Sequence, residues 1–276
     1  MIDRRRLLQS ALALPLIAAK RPPPGVDWNA WFHGWLLRDF GMIDYYSDDN
    51  AALLASREPV DVVFIGDSIT EGWHDERPGF FTRGRINRGI GGQTTSQMVL
   101  RMISDVVALR PKAVHIMAGT NDIAGNTGPM TAKMTENNFE EMVDIAQRHG
   151  LKVLLAPIPP AAAFPWSPDV KPRPRIAEIN RWLEKFARQR GAIWVDYWRV
   201  LDDGTGAMKP GLASDGVHPT DAGYDAMATV IEPILDRMFP ATSERSSPEQ
   251  PPRAGLHSPR ATAAAHRARP AGRHSR

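Results

Sequence analysis

The 276-residue sequence contains no cysteine. That absence removes thiol nucleophiles, thiolate metal sites, disulfide staples and a lipid-bearing cysteine anchor. No His-Glu-x-x-His or comparable metal spacing occurs. The glycine-rich stretch near residue 90 lacks the lysine that a Walker phosphate loop needs, and it does not meet the dinucleotide pattern Gly-x-Gly-x-x-Gly. Gly-x-Ser-x-Gly, the nucleophile elbow of α/β-hydrolases, is missing as well. No internal repeat is visible. Neither a metal nor a cofactor is therefore expected.

A basic body is also lacking. Residues 1–21 carry five Lys or Arg against one Asp, and residues 241–276 carry seven Arg against two Glu. The formal total is only +3, so the stretch between them is net acidic. The basic pI belongs to the two ends, and a nucleic-acid partner, which needs a basic folded face, is not expected. With 42% hydrophobic and 24% charged residues, the body has the balance of an ordinary globular domain.

Arg4-Arg5-Arg6 followed by the apolar stretch Leu7 to Ala19 reads as a signal peptide, too short to span a bilayer. Asp3 to Gln9 also resembles a twin-arginine export signal. Export to the periplasm or medium is expected, with no stable membrane insertion once residues 1–19 are removed. Residues 20–59 hold a proline-rich linker and then Trp28, Trp31, Phe32 and Trp35, spaced to share one face of a helix. Packing against the domain is the ordinary reading of that face, and a ligand platform the alternative. Residues 60–240 form the main domain. Residues 241–276, built of Pro, Arg, Ala and Ser, read as a disordered basic tail.

Within the main domain, short apolar runs alternate with helical patterns. Val60–Ile65, Ala113–Ala118, Lys152–Ala156 and Ala192–Val195 read as buried strands. Thr94–Leu109, Thr131–His149, Pro174–Arg190 and Asp221–Phe239 read as helices. In the first of these, Met98, Leu100, Met102, Ile103, Val106 and Val107 lie on or near one face. Asn87-Arg88-Gly89 is placed after a further strand. The alternation implies an α/β fold with a parallel sheet covered on both faces. The proline-rich loop 157–174, carrying Phe164 and Trp166, is long enough to be functional.

Ligands in such sheets bind beyond the carboxyl ends of the strands. Gly66-Asp67-Ser68 follows the first strand. A serine at a helix start is more often a cap than a nucleophile. Gly91-Gly92-Gln93-Thr94 opens the next helix and offers the Gly92 N–H to an anion. Gly119-Thr120-Asn121-Asp122 follows another strand, where Asn121 could donate to an oxyanion or simply cap a turn. Asp215-Gly216-Val217-His218 could pair a carboxylate with a base, form a surface turn, or supply half a metal site. His115 reads as a core histidine. Glu71, Trp73 and His74 either shape a pocket mouth or pack. Asp202-Asp203-Gly204 reads as a turn.

Together these four blocks, in this order and all at strand ends, resemble the SGNH hydrolases, also called the GDSL esterase/lipase family. The Gly-Ile-Gly-Gly segment is closest in style to the platelet-activating-factor acetylhydrolase catalytic subunits. The resemblance covers roughly residues 60–240. It implies a three-layer α/β/α sandwich with a flavodoxin-like parallel sheet. It implies Ser68 as nucleophile, Asp215 and His218 as the acid–base pair, and Ser68, Gly92 and Asn121 as the oxyanion hole. Asp67, Phe164 and Trp166 are candidate substrate contacts. The expected activity is hydrolysis of carboxylic esters through an acyl-enzyme, on a small-molecule or glycan ester with a short acyl group such as acetyl. Acyl transfer to sugar hydroxyls, or a decayed carbohydrate- or envelope-binding module, are the alternatives.

Overall fold

The computed structural model describes residues 22, 24–82 and 84–240. The expected signal peptide (1–19) and basic tail (241–276) lie outside the described residues. In chain order the elements are α1 (Trp28–Arg38), α2 (Ser47–Ser56), β1 (Val62–Gly66), α3 (Ser68–Glu76), β2 (Arg85–Gly89), α4 (Thr95–Asp105) and β3 (Ala113–Met117). They continue with α5 (Thr120–Ala124), α6 (Ala132–Arg148), β4 (Lys152–Leu155), α7 (Pro172–Arg190), β5 (Ile193–Trp194), α8 (Trp198–Leu201) and α9 (Asp221–Met238).

All pairings are parallel, in the order β2-β1-β3-β4-β5. That is the flavodoxin-like winding, and it puts the carboxyl ends of β1 and β3 side by side. Val62, Val63, Phe64 and Ile65 are fully buried, as are Ala113, Val114 and Ile116. Burial on both faces explains why these strands read as continuous apolar runs. Helices α4, α6 and α7 pack in sequence as one layer, and α3 and α9 pack together in the other.

The helix ends follow their capping chemistry. Asp27 accepts from Ala30 N–H at the start of α1, Thr131 from Met134 N–H at α6, and Thr94 with Gln97 forms a capping box at α4. Helix α7 begins on Pro172, two residues earlier than the pattern suggested, because proline is preorganised for the first helical position.

Two sequence readings are corrected. Asn87-Arg88-Gly89 is the second half of β2 rather than the turn after it. This edge strand is polar because its side chains have dedicated partners. Asn87 donates to Thr70 O (2.5 Å) and Arg88 to Asn50 Oδ1 (2.8 Å). On α4, Leu100 and Ile103 are each 51% exposed, while Arg101 and Asp105 are completely buried. The inward stripe is Met98, Arg101, Met102 and Asp105, and a charged pair holds two of its positions.

Arg101 donates to Gln93 Oε1 (2.6 Å), Arg88 O (2.7 Å), Gly66 O (3.1 Å) and Asp105 Oδ2 (3.3 Å). It therefore grips the carboxyl ends of β1 and β2 together with the loop that follows β2. Asp105 accepts in turn from Asn50 of α2 (2.7 Å). Removing one member of a buried ion pair strands the other in a dry core. Arg101→Ala is expected to destabilise the fold by about 3–5 kcal/mol in urea unfolding; a loss below about 1 kcal/mol would show that the guanidinium is dispensable.

Candidate active site

Three strand ends and one distant loop assemble the site. Strand β1 ends at Gly66, and Asp67 caps α3 by accepting from Ile69 N–H (3.0 Å). Ser68 is thus the first helical residue rather than the cap. Gly89 permits this start, because a Cβ there would collide with the backbone of Thr70 and Glu71.

Opposite, the loop before α9 carries the acid–base pair. Asp215 Oδ1 accepts from the backbone N–H groups of Val217 (2.9 Å) and His218 (2.8 Å). Its Oδ2 lies 2.8 Å from His218 Nδ1, and His218 Nε2 lies 2.9 Å from Ser68 Oγ. Partial burial would raise the Asp215 carboxyl, but the bonds from His218 and Val217 outweigh it and hold it below the usual carboxylate range. An ionised Asp215 keeps the proton on His218 Nδ1 and leaves Nε2 to accept from Ser68. The loop is braced by Ser214 N–H to His218 O (2.9 Å) and Thr220 N–H to Leu212 O (3.0 Å). Tyr224 of α9 donates to Ile69 O (2.8 Å), which ties the helix that follows the histidine loop to the serine's helix.

The third component is a set of N–H donors. Gly92 has φ +78°, and a Cβ there would lie 2.6 Å from Trp28 and 3.0 Å from Phe32. Among the described residues, neither Ser68 N–H nor Gly92 N–H donates to another protein group. Asn121 is buried on α5 and donates through Nδ2 to Gln93 O (3.0 Å). Asp122 beside it accepts from Thr95 N–H (2.9 Å), Thr95 Oγ1 and Thr135 Oγ1 (3.1 Å), fastening α5 to α4 and α6. Burial raises the Asp122 carboxyl, and these donors offset part of the effect.

These groups line one cavity of about 640 Å³. Ser68, Gly92, Asn121 and His218 line it, together with Trp28, Phe32 and Trp166. Trp166 lies 5.7 Å from the His218 ring, while the Trp28 and Phe32 rings stack at 4.8 Å. Trp28 and Trp166 line the cavity and remain 39% and 40% exposed.

The expected site residues divide accordingly. Ser68, Asp215, His218, Gly92 and Asn121 come together, and Trp166 lines the cavity. Phe164 is corrected: it is fully buried and stacks beneath Trp166 at 5.2 Å, supporting the wall without facing the cavity. Asp67 is corrected too, since its buried carboxylate is spent on the α3 cap. The segment 208–212 braces the histidine loop and does not line the cavity. Glu71 lines it and accepts from Tyr45 Oη (2.7 Å) and Gly91 N–H (2.9 Å), whereas Trp73 is core. His115 is core as well, with Nε2 3.0 Å from Tyr197 Oη, and burial lowers it to about 3. Asn126 and Phe32 line the cavity with no motif to announce them. The aromatic spacing of α1 was a usable signal for Phe32, but it predicts a face and not what the face meets. Among the described residues no cluster of His, Asp or Glu is arranged to hold a metal.

A model of the GDSL-like lipase/acylhydrolase family matches residues 64–226. The chain belongs to that family. A GDSL-like lipase from Bacteroides thetaiotaomicron is 39% identical, and the match covers 72% of this chain and 99% of that one with a TM-score of 0.69. An acetyl xylan esterase from Geobacillus stearothermophilus shares the fold at 21% identity, with 64% of this chain and 94% of that one covered and a TM-score of 0.53. Lipoprotein YqeF of Bacillus subtilis is 40% identical over 73 residues, 25% of this chain and only 30% of that protein's length.

The Asp67 cap carries a measurable signature. Burial pushes its carboxyl from 3.8 up to about 6. A carboxyl raised on folding stabilises the native state most below its unfolded value, and that contribution is lost as pH rises through about 6. Asp67→Asn keeps the cap acceptor and removes the titration. The stability of the variant relative to wild type is expected to increase by roughly 2–3 kcal/mol between about pH 4 and about pH 7. Urea titrations at both pH values check this, and an unchanged difference contradicts a raised Asp67.

Proposed function

We propose that this protein is an exported serine hydrolase of carboxylic esters that works through an acyl-enzyme. The observation that carries the reading is the hydrogen-bonded row Asp215–His218–Ser68, with separations of 2.8 and 2.9 Å, facing a cavity that Gly92 and Asn121 also line. In this reading Ser68 Oγ attacks the ester carbonyl while His218 Nε2 takes its proton. Asp215 holds the ring and supports the imidazolium. Ser68 N–H, Gly92 N–H and the Asn121 amide stabilise the tetrahedral oxyanion. His218 returns the proton to the departing alcohol, and a water activated by the same nitrogen releases the acid. Residues 4–19 support export.

A short acyl group is the reading we favour. The Trp28–Phe32 stack packs against Gly92, on the oxyanion side, where the acyl chain would lie. Trp166 stands on the His218 side, where the alcohol leaves, and its open face suits a sugar ring. Acetyl esters of carbohydrates are the substrate class we favour.

Ser68→Ala is expected to keep the circular dichroism spectrum and thermal midpoint of the wild type while abolishing p-nitrophenyl acetate hydrolysis and labelling by a fluorophosphonate. Retained turnover would remove Ser68 from the chemistry. In a p-nitrophenyl ester series the wild type is expected to prefer acetyl over octanoyl, and Trp28→Ala to shift the preference towards longer chains. A wild-type preference for octanoyl would contradict the acyl assignment and leave the nucleophile assignment standing.

A further inference from the structure

Asn126 is half-buried in the cavity wall just after α5, and no motif includes it. Its backbone N–H donates to Asn121 O (3.1 Å), beside the Gly125 N–H on the same carbonyl (3.0 Å). Its side chain makes three contacts that fix which end is which. Trp166 Nε1 lies 3.2 Å from Asn126 Oδ1, and an indole N–H can only donate. The oxygen of Asn126 must therefore face Trp166. Its Nδ2 is then committed to two acceptors, Gly92 O at 3.1 Å and Asn121 Oδ1 at 2.9 Å.

That order propagates. Because Asn121 Oδ1 accepts from Asn126, Asn121 Nδ2 is the donor end. One of its hydrogens goes to Gln93 O (3.0 Å), and the other is left for the cavity. The glycine loop is held from both sides as well. Gly91 N–H is bonded to Glu71 Oε2 (2.9 Å), and Gly92 O is bonded to Asn126. The Gly92 N–H lies between these two anchors, so its direction is set before any substrate arrives.

We infer that Asn126 is a positioning residue that aims two oxyanion donors, Gly92 N–H and the Asn121 amide, and that the Trp166 N–H fixes the orientation of Asn126. The inference rests on the ester-hydrolase reading and deepens it. Trp166 acquires two jobs: its ring faces the leaving group, and its N–H sets the polarity of a chain of amides that ends in the oxyanion hole. Preorganised donors of this kind act on the transition state much more than on the bound ester.

Asn126→Asp is the sharpest test because it keeps the size and the acceptor for Trp166. It replaces the donor end with an oxygen facing Gly92 O and Asn121 Oδ1. Asn121 is then expected to turn its amino group towards residue 126 and withdraw it from the cavity. On p-nitrophenyl acetate, kcat should fall roughly 10²-fold, the cost of one oxyanion donor, with KM within about threefold and the thermal midpoint within about 2–4 °C. Affinity for a boronic acid that forms a tetrahedral adduct with Ser68 should fall in parallel with kcat, which a merely structural role would not produce. Trp166→Phe keeps the ring and removes only the N–H. It should lower kcat about fivefold, the rate equivalent of one neutral hydrogen bond, again without a matching rise in KM.

Turnover and boronate affinity of Asn126→Asp close to those of an active wild type would overturn the inference, as would losses that only track a fall in thermal midpoint. If Asn126→Asp does not fold, Trp166→Phe decides: unchanged kcat and boronate affinity overturn it, and a joint fall sustains it. An inactive wild type that a fluorophosphonate does not label at Ser68 would instead remove the ester-hydrolase reading, and this inference with it.

Discussion

The serine segment and the glycine loop of the active end are held together by the fully buried guanidinium of Arg101. Its donors reach the last carbonyl of β1, a carbonyl of β2, the side chain of Gln93 and the carboxylate of Asp105. Gly66 precedes Asp67-Ser68 directly, and Gln93 follows Gly92 directly. One planar cation thus sets the spacing between the segment that carries the nucleophile and the segment that carries an oxyanion donor. Burying such a charge is expensive, and an apolar replacement can be equally stable. What apolar side chains cannot do is hold several carbonyl groups in fixed directions. The same network extends outward through Asn50 and Arg88, and Arg88 lies over the Tyr46 ring. Through it the N-terminal helices are attached to the domain.

The site shares this economy. Several of its groups are held by more than one bond, some local and some reaching across the chain. Asp215 braces its own loop through two backbone N–H groups before it touches the histidine ring. Asp122 receives donors from two helices. Asn126 and Asn121 form a short amide chain in which every polarity follows from one indole. Such a site meets its substrate with its dipoles already oriented.

Much of this was legible in the sequence because it depends on local chemistry. Strands buried on both faces give continuous apolar runs, and the residues that follow them sit where a parallel sheet binds ligands. Ser68, Gly92 and Asn121 could each be found that way, and Asp215 and His218 by their three-residue spacing, although each had an ordinary capping or turn role when taken alone. What escaped depended on distant partners. Arg101 and Asp105 look like a solvated i, i+4 pair on a helix surface, and only the third dimension buries them. Asn126 looks like any loop asparagine. Phe164 and Trp166 sit in the same proline-rich loop, and their spacing does not tell which of the two faces the cavity. Leu100 and Ile103 misled in the opposite sense, since apolar residues are common on protein surfaces.

The placement of the acid–base loop also bears on how the molecule folds. Asp215 and His218 are three residues apart and need only a turn to find one another. Ser68 and His218 are separated by 150 residues, and the bond between them closes only when α9 docks against α3. Closing a loop of that size costs more chain entropy than pairing nearby segments. A chain with its parallel sheet formed and α9 still free would hold nearly all its secondary structure and no working serine. In a refolding experiment, regain of turnover therefore probes that long-range closure, which circular dichroism, reading helix and strand content, does not single out.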